Sequence, residues 1–431
     1  MQIKKLTVLI TLAGAAGAAH ATDGYFAQAY GSKAEGMGGA SAAIVEDTNG
    51  GANNPASMAF VGNRLDVGAM IFSPHRSASR AGSGGLDASV DSDSNYFLIP
   101  DFGYNRMLNP NLALGVTVYG NGGMNTNYPG IPAFGNANLL GGAGKLGINL
   151  MQLIVAPTLA YKITPDHAIG ISPLLGYQKF KAYGLQGFDP GFTAYPGFVT
   201  NKGYDDSFGY GVRIGYQGKI APTLRIGATY APKMNFDKFS KYKGLFADQG
   251  VFDIPENYSL GLAWQATPAL NVALDYERIN YSDVASVGNP VVPNYVTGFG
   301  SSNGPGFGWS DVNVWKLGLE YKHNSQWTFR AGYNHTDNPI TGDLTCATLT
   351  NCNEVVPNIL APAVVKDHAS VGLTYTLASG NELTFAYVHA FENSVKGLDT
   401  FICPGGPGTC AGKDTIKMYQ DSIGISYGMK M

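Results

Sequence analysis

From about residue 65 to the end of the chain, large apolar residues alternate with small or polar ones over strand-length stretches. In Tyr258-Ser259-Leu260-Gly261-Leu262-Ala263-Trp264, and again in Ile423-Gly424-Ile425-Ser426-Tyr427-Gly428-Met429, every second side chain is bulky. Successive side chains of a strand point to opposite faces, so this period of two suits a wall with hydrocarbon on one side and a hydrated lumen on the other. Short polar or proline-bearing turns fall near 108–111, 164–167, 221–223, 267–270, 323–326 and 378–381. Much longer Gly-, Asn- and Pro-rich stretches fall near 75–93, 123–148, 185–205, 235–255, 283–311, 339–366 and 397–414. Six short and seven long connections predict about fourteen strands, an even number as in single-chain bacterial outer-membrane barrels. The expected fold is all-β, a transmembrane antiparallel β-barrel spanning 61–431, with short turns and both termini periplasmic and long loops outside. Closure leaves no strand edge facing lipid, which is what makes a sheet viable there.

Composition agrees with a wall that is not mainly wetted, since charged residues are 14% of the chain and aromatics 12%. Tyr161, Tyr216, Trp264, Tyr321, Tyr375 and Tyr427 recur at strand ends, where interfacial aromatic belts are built. No apolar run long enough for a membrane helix follows the N-terminus. The net charge of −3, without a basic cluster interleaved with aromatics, gives no case for nucleic acid. Lys4 and Lys5, the apolar stretch Leu6 to Ala19 and the triplet Ala19-His20-Ala21 read as a signal peptide over 1–21, so the exported chain is expected to start at Thr22. Export favours short disulfide loops for Cys346 with Cys352 and Cys403 with Cys410, which have no His spacing that suits zinc.

Residues 22–60 do not fit the wall. Gly24, Gly31, Gly36, Gly38, Gly39, Gly50 and Gly51 stand among many alanines, with too few bulky residues for a core of their own. Such a segment either stays disordered or borrows a core, and a lumen of about fourteen strands is wide enough to accept a plug. The expectation is a hatch. Gly36-Met37-Gly38-Gly39 lacks the third glycine and the flanking pattern of a dinucleotide loop, and no cofactor is implied.

The hatch segment, with Gly36-Met37-Gly38-Gly39-Ala40-Ser41, Glu46-Asp47 and Asn53-Asn54-Pro55-Ala56-Ser57, resembles that of the FadL/TodX family of outer-membrane transporters for long-chain fatty acids and other hydrophobic compounds. The likeness continues through Asn271 to Tyr281, Trp327 to Tyr333 with Asn338-Pro339, and His368 to Val388. It implies a monomeric barrel of a Gram-negative outer membrane, inserted by the barrel-assembly machinery and blocked by its hatch. Ligand would be caught among extracellular loops, passed to an interior pocket near the mature N-terminus, and released into outer-membrane lipid through a gap at an inward kink of the third strand, near Asn111 to Tyr119. Gly36, Gly38, Asn53, Asn54, Pro55 and Ala56 occupy the hatch motif, and Pro55 would rigidify a bend.

Ligand-binding candidates are Phe26 in the hatch and Ile131, Phe134, Leu139 and Leu140, which make either an exposed capture groove or a self-packed loop. For a carboxylate head group, Lys179, Lys181 and Lys316 lie near outer strand ends. The cargo is expected to be a long-chain fatty acid, with an aromatic hydrocarbon or the ions of a general porin as alternatives. An enzyme is not expected, because the His residues stand in no recognisable catalytic motif.

Overall fold

The computed structural model describes residues 22–44, 47–189, 191–291, 298–342, 355–399 and 412–431. Its strands are β1 (Arg64–Ala81), β2 (Ala88–Asp91), β3 (Phe97–Asn109), β4 (Leu112–Asn125), β5 (Gly147–Thr164), β6 (His167–Tyr183), β7 (Asp205–Ala221) and β8 (Leu224–Ala231). After these come β9 (Asn235–Phe236), β10 (Asn257–Thr267), β11 (Leu270–Ile279), β12 (Val312–Lys322), β13 (Trp327–Thr336), β14 (Asp367–Thr376), β15 (Glu382–Leu398) and β16 (Lys413–Lys430). Two of them, β2 and β9, are short additions to β1 and β7. The other fourteen form the wall, each antiparallel to its neighbours, and β16 returns to β1 from Arg64↔Lys430 to Ala81↔Lys413 to close it.

The period of two sorts the side chains as the sequence implies. Leu260, Leu262, Trp264, Ile423, Ile425 and Tyr427 are exposed on the outer face, while Ala263 and Ser426 are buried inward. All six short turns fall where they are expected. The first long connection does not: β1 runs on to Ala81, and β2 occupies part of the stretch expected to be loop. Arg76, Ala78 and Arg80 carry the alternation past residue 75 and are buried toward the lumen.

The segment ahead of β1 lies inside the barrel rather than hanging free. It makes short helical turns at Ser32–Glu35, Gly50–Asn53, Pro55–Ser57 and Met58–Val61, and its described residues are almost all buried. A chain of small residues has little apolar area of its own, so it gains burial only by close approach to the wall. The wall permits that approach with glycine. A Cβ on Gly227 would collide with the Ala42 carbonyl, one on Gly170 with Pro55, and one on Gly332 with the Met37–Gly38 peptide.

Candidate functional site

Polar side chains of the wall hold the hatch by its backbone. The Asp275 carboxylate accepts the amides of Ser41 and Ala42 at 2.7 and 2.8 Å, and Asp66 accepts the amide and hydroxyl of Thr48 at 3.0 and 2.7 Å. Gln217 donates to the Ala43 carbonyl at 2.7 Å, Asn105 to those of Met58 and Gly62, and Arg213 to that of Ala52. Such bonds satisfy groups that the hatch, with little regular structure, cannot pair internally. Beside these individually modest polar ties, apolar hatch residues join cores shared with the rest of the protein: Tyr25 and Phe26 with Tyr281 and Trp309, Met58 with Ala113, Ala160 and Ala168, and Met37 with Ala273.

The motif residues work within this frame. Asn53 clamps Tyr30, accepting its amide at 3.1 Å and donating to its carbonyl at 2.8 Å. Asn54 donates to the carbonyls of Ala42 at 2.7 Å and Tyr216 at 3.0 Å, and its Oδ1 accepts the Ala56 amide at 3.0 Å. One side chain thereby ties two hatch segments to β7. Pro55 opens the turn Pro55–Ser57, where its missing N–H costs nothing, and Ala56 is fully buried. Gly36 packs against Gly372, and Gly38, at φ +66°, donates to the Ser370 hydroxyl at 2.9 Å. At the lower end Arg64 pairs with Asp66 and Glu382, both at 2.8 Å, and Lys33 of the hatch pairs with Glu382 at 2.7 Å. Arg64→Ala strips the guanidinium from two carboxylates in a buried network and is expected to cost about 3 kcal/mol, read as a lowered urea midpoint for the detergent-solubilised barrel.

The wall itself is incomplete at one place. The β3–β4 ladder stops at Phe102↔Val118, although β3 continues along β1 to Phe97 and β4 continues along β5 to Asn125. Between Phe72, the last β1 residue paired with β3, and Ser77, the first paired with β2, β1 has no ladder pair on that side either, although the Ser92 amide donates to the Arg76 carbonyl at 2.9 Å. These interruptions bound a window. Pro74 and Pro100 stand at its margins, and proline, which cannot donate to a ladder, belongs where pairing ends. At the same level β4 carries a register shift between Gly120 and Gly122, and from Tyr119 to Asn125 every residue is buried. The strand has turned inward.

The start of the hatch runs along this bent end. Ala27 N donates to Asn121 O at 3.2 Å, Gly123 N to Tyr25 O at 3.1 Å, and the Tyr30 hydroxyl to Asn121 Oδ1 at 3.1 Å. Gly122 permits the approach, since any Cβ there would collide with the Tyr25 carbonyl. Beside it lies a mostly apolar cavity lined by Tyr25, Phe72, Arg76, Met124, Trp309 and Met418, among others. Tyr25 also stands against Phe26, Phe252, Tyr281 and Trp309, with ring centroids 5.3 to 6.0 Å apart. Nearer the outside, the long loops surround a second cavity lined by Leu140, Ile148, Phe180, Phe188, Phe246, Phe299 and other apolar residues. With Pro357 and Leu360 from the β13–β14 connection, the outer cavity is built from five different connections.

The sequence candidates distribute unevenly over this geometry. Phe26 is buried in the aromatic cluster and bridges Gly122. Ile131 and Leu139 are buried with Leu140 in the large apolar cluster that also takes in hatch residues and the other long connections, Phe134 packs against that cluster, and Leu140 lines the outer cavity. Of these four residues, Leu140 is the one that reaches the outer cavity. Lys179 and Lys181 require correction as lumenal cations. They alternate with the buried Gln178 and Phe180, so they point outward, with their ammonium groups 5.2 and 4.8 Å from the centroid of the Tyr204 ring. Lys316 is lumenal but committed, donating to Gln28 O at 2.8 Å and pairing with Glu277 at 2.6 Å, so it anchors the hatch. Cys346, Cys352, Cys403 and Cys410, like residues 1–21, lie outside the described residues. Tyr25, Arg76 and Trp309 were not anticipated; Arg76 fell within the stretch expected to be loop.

The model of the family described as outer membrane protein transport protein (OMPP1/FadL/TodX) matches residues 9–401. No curated protein matches the chain. Among solved structures, the P. putida toluene transporter TodX is 18% identical with a TM-score of 0.66, covering 94% of this chain and 99% of its own. A Pseudomonas aeruginosa FadL homologue is 16% identical (TM-score 0.65) and the Ralstonia pickettii toluene transporter TbuX 17% identical (TM-score 0.62), each with the same coverage of 94% and 99%. At such identities these structures speak for the fold, while the family rests on the match over most of the chain: the protein belongs to the OMPP1/FadL/TodX family of outer-membrane transport proteins, channels for hydrophobic compounds.

Proposed function

We propose that the chain is a passive, hatch-gated channel that takes hydrophobic compounds from the outside and releases them sideways into the bilayer, with long-chain fatty acids as the first cargo. One observation carries this reading: the wall loses its hydrogen bonds beside an apolar cavity, at a level where the hatch fills the lumen below. A chain of roughly 15 methylenes favours hydrocarbon over water by on the order of 10 kcal/mol, so axial release into periplasmic water would be slow and lateral release avoids the barrier. The outer cavity suits capture, the inner one a brief residence, and the window the exit. The reading includes export by the 1–21 signal, residues 22–60 as the hatch, insertion by the barrel-assembly machinery, and a monomer that performs no chemistry.

An aromatic hydrocarbon is the second cargo, favoured by the ring-rich lining around Tyr25 and Trp309 and by the toluene transport named for two of the solved relatives. Uptake of labelled oleate and labelled toluene separates the two. The cells lack their own transporters and express this chain or a version without residues 24–56. Saturable oleate uptake altered by the deletion is the expected result, and toluene uptake alone moves the cargo to aromatics. Neither, with large ionic currents from both versions, sinks the reading in favour of a porin.

A further inference from the structure

Arg76 is a buried guanidinium with no carboxylate to balance it. It is 4% exposed, it lines the cavity beside Tyr25, and among the described residues no acidic side chain forms an ion pair with it. Every other buried arginine on the inner face of β1 is paired: Arg64 with Asp66 and Glu382, Arg80 with Asp414 and Asp399. The partners of Arg76 are neutral. Nη1 donates to the Asn125 carbonyl at 2.9 Å, Nη2 to the Ser92 hydroxyl at 3.1 Å and to the Ser94 carbonyl, and Nε has no partner at all. A buried cation left without a counter-charge is a costly feature, and a guanidinium fork matches a carboxylate with two parallel bonds.

The position adds a second element. Ser92 and Ser94 belong to the strap between β2 and β3, whose Asp93 amide donates to Asn127 O at 2.9 Å, while Asn125 ends the bent strand β4. Arg76 therefore ties together the upper rim of the window. Resting on the lateral-release reading above, we infer that Arg76 recognises the carboxylate of an incoming hydrophobic acid, and that the acid replaces the neutral partners holding this rim. The ligand class is a monocarboxylate on an apolar body, with the body in the cavity among Tyr25, Phe72, Met124 and Trp309. Neutral hydrocarbons occupy the same cavity without engaging the rim.

The test uses the full chain in lipid nanodiscs, with empty nanodiscs as the partition reference, and measures binding of decanoate and 1-decanol at pH 8 to the wild type, Arg76→Gln and Arg76→Lys. A hydrogen bond to a charged group implies that Arg76→Gln weakens decanoate by about 10- to 100-fold and leaves 1-decanol within about twofold. Arg76→Lys, which keeps the charge but not the fork, is expected to fall between. Resistance of the unheated barrel to SDS shows that each variant is folded. If Arg76→Gln binds both ligands as the wild type does, or loses both equally, the inference about Arg76 is overturned and the channel reading stands. If the wild type binds neither above the reference, both are overturned. A second pair, 4-phenylbutyrate and butylbenzene, applies the same comparison to an aromatic acid, whose selective loss beside that of decanoate widens the ligand class to aromatic bodies.

Discussion

Gly332→Val is expected to unseat the hatch and raise ionic conductance in planar bilayers at least about tenfold, toward that of an open barrel of this strand number. The side chain would enter the space held by the Met37–Gly38 peptide, and backbone atoms cannot rotate away as a flexible side chain can. Gly38 has no easy refuge, because its φ of +66° and its bond to Ser370 fix the turn there. The wall, by contrast, accepts the change readily, since valine suits a strand and Gly332 pairs directly across from Gly318 and Ser370. The variant should therefore assemble as a barrel, remain resistant to SDS when unheated, and expose residues 22–60 to added protease. Conductance that stays at the wild-type level would mean that something other than the hatch closes the lumen.

The strand count and turn positions were legible because a period of two, once started, admits few phases, and because proline and polar residues mark the tight connections. The placement of residues 22–60 in the lumen followed from what they lack, a core of their own. The docking surface was not legible. It consists of single wall glycines, such as Gly170, Gly227, Gly332 and Gly372, each on a different strand, and nothing in the sequence says which of many glycines face a hatch. The window is of the same kind, since it consists of missing pairs on three strands. Pro74, Pro100 and Gly122 are its only local marks, and each alone reads as an ordinary turn or bulge residue.

The outward placement of Lys179 and Lys181 was hidden for a more specific reason, while Lys316 is lumenal. Near the outer end of β6 both faces carry rings, Tyr177 outward and Phe180 inward, so bulk no longer tells which face is lumen, and a place near a strand end does not say that Lys179 and Lys181 point outward. Arg76 was missed because Pro74 and the serines around it resemble loop sequence, and only the pairing with β16 reveals a strand through it. A proline at an unpaired strand margin and a proline in a loop look the same without the neighbouring strands.

Locking the window should abolish most transport while leaving the hatch and both cavities in place. Continuing the β3–β4 register past Phe102↔Val118 would bring Pro100 opposite Gly120, and opposed residues of an antiparallel pair lie within disulfide reach. The double variant Pro100→Cys/Gly120→Cys, oxidised, is therefore expected to trap the two strands together across the opening. Oleate uptake should fall about tenfold and return on reduction, with the wild type under the same reductant correcting for its own four cysteines. Binding of ligand to the isolated protein should change much less, because neither position lines the apolar cavities. That separation decides between two routes: cargo leaving through the wall is stopped by the bond, whereas cargo leaving along the axis past Lys316 and the hatch would be taken up equally well before and after reduction.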